Sequence, residues 1–178
     1  MANAIETLKT WAETFHQDVD ALKALVESEK ADLDARKHAA AALNYLVTRM
    51  DLIPDWNEGI GALDDAMILR VCAQLAQQHP LGDLPGQADY AIGRLGNEAE
   101  KLAGLLGREL AEKLKQYCAK LVDTAVRGRT PQQVIEDPEA RKALWADVED
   151  ELKKSVPVVV ADPEDAELRL KAYLQHKL

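Results

Sequence analysis

Apolar residues recur at alternating intervals of three and four along most of this chain, and this spacing constrains the fold more than any other feature of the sequence. The clearest stripe comprises Ile5, Leu8, Ala12, Phe15, Val19, Leu22 and Val26. It predicts one amphipathic helix of about six turns that packs against the rest of its own domain. The same rhythm over residues 32–50 predicts a second helix, with acidic residues at its start and Arg49 near its end, as the helix dipole favours.

Residues 63–79 are predicted to form a third helix, which differs from the first two because apolar side chains cover most of its circumference. Only Arg70 and Gln74 interrupt that cover between Ala66 and Ala76. Helices that are apolar nearly all round are buried, so we expect this helix to be central. The sequence therefore predicts an all-α fold, an irregular multi-helix bundle with a central helical hairpin at residues 32–79.

Residues 87–178 are predicted to form a helical extension of the same domain, which spans residues 1–178. A long helical region from about residue 88 to residue 126 contains Gly104 and Gly107. Two glycines only three residues apart weaken a helix. They therefore predict either a bend or a junction between two helices.

Three later helices are predicted to begin at a proline in their first turn: Pro131, Pro138 and Pro163. Thr130 and Gln133 complete a capping box at the first of these helices. The run Val156-Pro157-Val158-Val159-Val160 is extended in character but has no second strand to pair with. It is interpreted as a strap across the helices.

The balance of charges excludes nucleic acid as a favoured partner. The chain has 22 basic and 31 acidic residues, which give a net charge of −9, whereas a phosphate-binding surface needs clustered Lys and Arg. The nearest approach to such a cluster, the short run Arg127-Gly128-Arg129, is interpreted as the end of a helix beside a glycine.

The cysteines and the hydropathy pattern predict a cytoplasmic location. Cys72 and Cys118 are the only cysteines, and each lies in an apolar helical pattern, which argues against a disulfide framework or a thiolate metal site. No stretch of eighteen apolar residues occurs, and the N-terminus has no apolar signal-peptide core. The four histidines are scattered, with no sequence spacing that joins them to a ligand set, and are predicted to lie at the surface or at helix ends.

Two short elements between the second and third helices carry a resemblance to a known family. The first is Asp51-Leu52-Ile53-Pro54-Asp55 and the second is Gly61-Ala62-Leu63-Asp64-Asp65. Together with the flanking helices they resemble the signature of the YkvA-like family, bacterial-type domains of unknown function. The chain departs from that pattern at Glu58, where a second proline is common. The resemblance implies a helical hairpin and no settled activity.

Four carboxylates, from Asp51, Asp55, Asp64 and Asp65, surround this turn and form the most suggestive group in the sequence. Hard divalent cations prefer oxygen ligands, so the group could hold Mg²⁺ or Ca²⁺. However, Asp64 and Asp65 point about 100° apart on a helix, which argues against convergence on one ion. The favoured interpretation is structural: Asp64 and Asp65 cap free N–H groups in the first turn of the third helix and favour its dipole, with Arg49 and Arg70 available as ion-pair partners.

The candidate site is therefore a motif with a structural interpretation, and its members are Asp51, Pro54, Asp55, Trp56, Gly61, Asp64, Asp65 and Arg70. No residue is assigned a catalytic, cofactor-binding or metal-binding role, and no cofactor is expected. The favoured function is a non-enzymatic interaction or scaffold module with an unknown protein partner. Two alternatives stay open: a metal-dependent hydrolase that uses the four aspartates, and a peripheral membrane adaptor anchored through Trp56, although the acidic surroundings argue against membrane contact.

Overall fold

The computed structural model describes residues 3–48, 51–54, 57, 59–155 and 157–178. Within those residues the chain forms helices and no strand. In chain order the α-helices are α1 (Ala4–Ala12), α2 (Phe15–Glu27), α3 (Leu33–Leu46), α4 (Leu63–Ala76), α5 (Gly86–Ala99), α6 (Leu102–Leu106), α7 (Arg108–Lys120), α8 (Pro131–Glu136), α9 (Pro138–Lys154) and α10 (Pro163–Lys177). The predicted all-α multi-helix bundle is confirmed.

The single helix predicted near the N-terminus is wrong in one respect, because the chain breaks between α1 and α2. The Thr14 hydroxyl has two acceptors within hydrogen-bonding distance of its single proton, the Trp11 carbonyl at 3.0 Å and the Asp18 carboxylate at 2.7 Å. A β-branched hydroxyl residue that bonds to nearby groups competes with the regular helical pattern. The apolar stripe nevertheless continues across the break, since Leu8, Phe15 and Val19 are buried and Ala12 is half-buried.

The hairpin α3–α4 forms the centre of the molecule, as predicted. Every residue of α4 is buried except Asp65 and Gln74. Its neighbours are α1, α2, α3, α5 and α7. The prediction of a central third helix is therefore confirmed.

The region beyond the hairpin is divided into α5, α6 and α7. Gly107 separates α6 from α7 and has a φ of +92°, a conformation that L-residues rarely adopt. The junction predicted from the two glycines is confirmed at Gly107, while Gly104 lies within α6.

The later helices begin at the three predicted prolines, and the predicted capping box forms. The Thr130 side chain accepts a hydrogen bond from the Gln133 amide at 3.2 Å, and the Gln133 side chain accepts one from the Thr130 amide at 2.9 Å. The interpretation of Arg127-Gly128-Arg129 as a helix end is wrong. Arg127 and Gly128 both have positive φ, and paired hydrogen bonds join Val126 to Arg129, which makes a tight two-residue turn.

The C-terminal part of the chain crosses the turn that carries the two signature elements between α3 and α4, residues 51–62, which we call the signature turn. Residues 157–160 have no regular secondary structure, as the strap interpretation predicted, and Val156 lies outside the described residues. A Cβ added to Gly59, whose φ is +84°, would lie 3.0 Å from the Val159 carbonyl oxygen. Glycine is therefore needed here both for backbone conformation and for the close approach of the strap.

One connected hydrophobic core extends from Ile5 to Leu174 and includes both cysteines, which are free and buried. Burial raises the pKa of the Cys118 thiol, so it is poorly suited to act as a nucleophile. Among the described residues, no helix combines the length and the apolar character needed to cross a membrane.

Candidate functional site

Asp64 lies in the first turn of α4 and joins three segments of the chain. Its buried carboxylate accepts a hydrogen bond from the Tyr45 hydroxyl at 2.6 Å and a longer one from the Ile53 amide at 3.4 Å. The Tyr45 hydroxyl in turn accepts a hydrogen bond from the Leu52 amide at 2.8 Å. Asp64 and Tyr45 therefore fix the signature turn against both helices of the hairpin.

Three of the four predicted carboxylates converge. Asp51, Asp64 and Asp65 each offer an oxygen, and these atoms all lie within 4.8 Å of one another. The expectation that Asp64 and Asp65 diverge too far is wrong, because one oxygen of each lies within this distance of the other and of Asp51, which belongs to the turn. We call these three residues the acidic cluster. The fourth carboxylate, Asp55, lies outside the described residues.

Two tyrosines flank the acidic cluster and respond to its charge. Burial, followed by the negative charge of Asp64, raises the pKa of the Tyr45 hydroxyl far above its usual range. Burial also raises the pKa of Tyr117 to about 12, with smaller contributions from Cys118, Asp64 and Asp51. The two rings meet edge to face with centroids 6.4 Å apart, so neutral phenols form part of the wall around the cluster.

Arg70 belongs to a different polar group from the acidic cluster. Its guanidinium is fully buried and pairs with Glu98 at 2.8 Å and with Asp18 at 3.5 Å. It also lies over the ring of Trp11, 4.7 Å from the centroid. The expectation that Arg70 pairs with the signature aspartates is not supported by these contacts, since its long side chain extends from α4 towards α1, α2 and α5. Arg49 lies outside the described residues.

A cavity of about 280 Å³ opens beside the acidic cluster and has Asp65 in its wall. The other lining residues come from the start of α2, the two ends of the signature turn and α9, and they are Phe15, Leu46, Gly61, Ala62, Val148, Glu151, Leu152, Lys154 and Ser155. The sequence did not predict this cavity, because α9 begins about 60 residues after the end of the hairpin and no motif in it signals the contact.

The remaining motif residues have structural positions within the turn. The Pro54 carbonyl accepts a hydrogen bond from the Asn57 amide at 2.9 Å, and the Gly61 amide donates to the Asn57 carbonyl at 3.0 Å. Asn57, which the sequence did not single out, also bonds through its side chain to Tyr173 and Arg169 of α10, at 2.8 Å each. Trp56 and Glu58 lie outside the described residues.

Comparison with known proteins finds a family that resembles the hairpin, and it assigns no activity. The model of a family described as a protein of unknown function (DUF1232) matches residues 35–70, which run from α3 through the signature turn to the middle of α4. The matched segment includes the acidic cluster and Arg70. No curated protein and no solved structure matches the chain. The likeness is therefore to a family of unknown function and is confined to the hairpin.

Proposed function

We propose that this protein is a non-enzymatic interaction module that accepts a lysine or arginine side chain of a protein partner in the cavity beside Asp65. The observation that carries the proposal is that the lining of the cavity combines apolar side chains with a carboxylate. Phe15, Leu46 and Leu152 contribute apolar surface to the cavity, and Asp65 lies in its wall. A basic side chain has the matching form, with an apolar stem and a cationic head.

Charge supports a basic occupant over an acidic one. The charged residues in the lining are Asp65, Glu151 and Lys154, so the lining is net negative. The Lys154 ammonium lies 3.3 Å from Glu151, which offsets its positive charge. The rest of the acidic cluster lies next to Asp65, and the chain as a whole carries a net charge of −9. A net negative surface speeds association with a basic partner.

Size favours a single side chain over a larger ligand. Pockets for drug-sized ligands and cofactors occupy roughly 300–1,000 Å³, and this cavity is about 280 Å³. The YkvA-like resemblance of the signature implies no activity, so it is compatible with this proposal. The cytoplasmic location stays a prediction from the sequence.

The proposal can be tested by NMR titration of the ¹⁵N-labelled protein with N-acetyl-arginine and N-acetyl-lysine methylamides. We expect saturable shifts of the amides of Leu46, Asp65 and Leu152. The uncharged N-acetyl-norleucine methylamide should give none. Asp65→Asn should abolish the shifts, whereas Asp150→Asn, at an exposed position of α9, should retain them. Equal responses to norleucine and arginine, or the same titration in Asp65→Asn, would contradict the proposal.

The convergence of the acidic cluster favours a second candidate, the metal-dependent hydrolase. Carboxylate oxygens within 4.8 Å of one another need only small adjustments to ligate one hard cation, and the adjoining cavity could admit a substrate. In this case Mg²⁺, Mn²⁺ or Ca²⁺ should raise the melting temperature by mass action, and Asp51→Asn should remove that response. An unmoved melting temperature would contradict the second candidate and leave the first intact. The membrane-adaptor hypothesis depends on Trp56 and stays a prediction.

A further inference from the structure

We propose that Asp32, Asp34 and His79 form a binding site for a transition-metal ion such as Zn²⁺, at the end of the α3–α4 hairpin that is remote from the signature turn. Asp32 immediately precedes α3, and His79 follows the end of α4. The two helices are antiparallel neighbours joined through the signature turn, so the start of one lies beside the end of the other. The site is therefore independent of the acidic cluster and of the proposed function.

The backbone fixes the two segments next to each other. The Asp32 amide donates a hydrogen bond to the Pro80 carbonyl at 2.9 Å, and the His79 amide donates to the Ala76 carbonyl at 3.0 Å. The Asp32 side chain accepts a hydrogen bond from the Asp34 amide at 2.9 Å, which orients its carboxylate at the start of α3. These bonds fix the backbone of both segments and the carboxylate of Asp32 without an ion.

The side chains converge from the two segments. One carboxylate oxygen from Asp32, one from Asp34 and one ring nitrogen of His79 all lie within 4.8 Å of one another. His38, one helical turn after Asp34, stacks on His79 with ring centroids 5.8 Å apart and planes inclined by 24°. Two imidazoles and two carboxylates thus share one end of the hairpin.

A second observation at the same place comes from His38. Its Nδ1 atom is buried and has no hydrogen-bond partner among the described residues, whereas buried polar atoms in folded proteins are normally paired. This unpaired atom belongs to the ring that stacks on His79, beside the proposed ligands.

The donor set selects the class of ion. Imidazole with carboxylates suits Zn²⁺, Co²⁺ and Ni²⁺, whereas Mg²⁺ and Ca²⁺ prefer an all-oxygen set. Three protein ligands would leave a further position for water. An ion bound here would connect the start of α3 to the segment after α4, so it should stabilise the folded chain. Sequence spacing gave no sign of the site because Asp34 and His79 are distant in the chain.

The probe is the metal ion alone, added to full-length, tag-free protein stripped with a chelator. We expect one equivalent of Co²⁺ to give visible ligand-field absorption that Zn²⁺ displaces, and Zn²⁺ to raise the melting temperature. His79→Gln and Asp34→Asn should each weaken Zn²⁺ binding at least about tenfold, as measured by calorimetry. The control variants, His176→Gln and Asp83→Asn, should bind Zn²⁺ as the wild type does.

Two results would overturn the proposal. One is the lack of saturable Co²⁺ or Zn²⁺ binding by a wild-type protein that is folded by circular dichroism. The other is wild-type affinity in both His79→Gln and Asp34→Asn, which would place the bound ion elsewhere on the surface. Since both substitutions lie at or near the surface, loss of folding should not obscure the result, and the melting temperature of each metal-free variant checks this.

Discussion

The carboxylate of Asp64 accepts hydrogen bonds from the Tyr45 hydroxyl and the Ile53 amide, two groups that belong to other segments of the chain. The sequence predicted that Asp64 lies in the first turn of a buried helix, and it does. The sequence did not predict the hydrogen bond with Tyr45. Tyr45 is one of several residues on the buried side of α3, and no local spacing connects it with Asp64. Such a contact follows from tertiary packing.

Replacing Asp64 with alanine should lower the free energy of unfolding by about 1–3 kcal/mol, because it leaves the buried Tyr45 hydroxyl without its acceptor. Denaturant unfolding measures this loss, and the exposed Asp150→Ala variant serves as the control. Tyr45→Phe should remove much of the same interaction, so the double variant should lose less than the sum of the two single losses. If Asp64→Ala is as stable as the wild type, Asp64 does not fix the turn.

The ionisation of Tyr117 should make the stability of the folded protein depend on pH. Its pKa is raised to about 12 in the folded protein, and an unfolded tyrosine titrates near 10. The folded state therefore favours the neutral phenol, and the stabilisation is fully present below about pH 10. It should be lost as the pH rises from about 10 to 12.

The measurement is the unfolding free energy at pH values between 9 and 11.5, compared for the wild type and Tyr117→Phe. The wild type should lose stability more steeply with rising pH than the variant, which cannot ionise at this position. Tyr90→Phe, at an exposed position of α5, controls for a tyrosine outside the core. Parallel pH profiles for the wild type and Tyr117→Phe would show that Tyr117 is not held neutral by folding.

At the scale of elements, the sequence predicted where helices begin better than where they break. Caps and prolines act through neighbouring atoms, so the starts at Pro131, Pro138 and Pro163 could be identified from local residues. The break between α1 and α2 could not, because the apolar stripe continues through Thr14 and only the contact of its hydroxyl with Asp18 distinguishes it. A break that preserves the buried face leaves no trace in the hydropathy pattern.

Gly107 and Gly104 provide a matched test of the α6–α7 junction. Gly107 has φ +92° and ψ 149°, in a region that is accessible almost only to glycine, so Gly107→Ala should cost about 1–3 kcal/mol. Gly104 lies inside α6, and a Cβ at either position would meet nothing within 4 Å. Gly104→Ala should therefore raise stability by about 0.5–1 kcal/mol.

Thermal or denaturant unfolding of the two variants separates backbone strain from steric contact, because neither position crowds an added methyl group. The expected outcome is a change of opposite sign at the two glycines. Equal effects at both positions would mean that the positive φ of Gly107 does not determine the junction.

At the scale of the whole molecule, a buried network of charged side chains connects several helices. The apolar pattern alone would not specify the relative positions of these helices. Arg70 of α4 contacts Asp18 of α2 and Glu98 of α5. Arg94 of α5 pairs with both of those carboxylates. The sequence predicted that α4 is central and noted Arg70 as an interruption of its apolar surface. It could not supply the partners, because they come from helices whose order around α4 is fixed only by the packed fold.

The same separation explains why the cavity and the metal site were not predicted. Each depends on residues brought together from distant segments, α9 beside Asp65 in one case and His79 beside Asp34 in the other. The signature turn was predictable because its residues are close in sequence. Fold class follows from periodicity, whereas the composition of a site follows from which helices become neighbours.

The buried network yields the prediction that concerns the whole fold. Arg70 and Asp18 are both fully buried. Removing Arg70 leaves Arg94 as the remaining cation for Asp18 and Glu98, whereas a buried charge left with no partner typically costs about 3–5 kcal/mol. Arg70→Met should therefore lower the free energy of unfolding by up to about 3–5 kcal/mol, as measured by denaturant titration. Lys30→Met removes an exposed pair whose side chains are 76% and 89% accessible, so it should cost less than about 1 kcal/mol. Adding Asp18→Asn to Arg70→Met should recover part of the loss, because the group then holds one acid, Glu98, and one base, Arg94. If the double variant is instead destabilised by the full sum of the single effects, the two residues do not act as a pair, and α1, α2, α4 and α5 are held together by apolar packing alone.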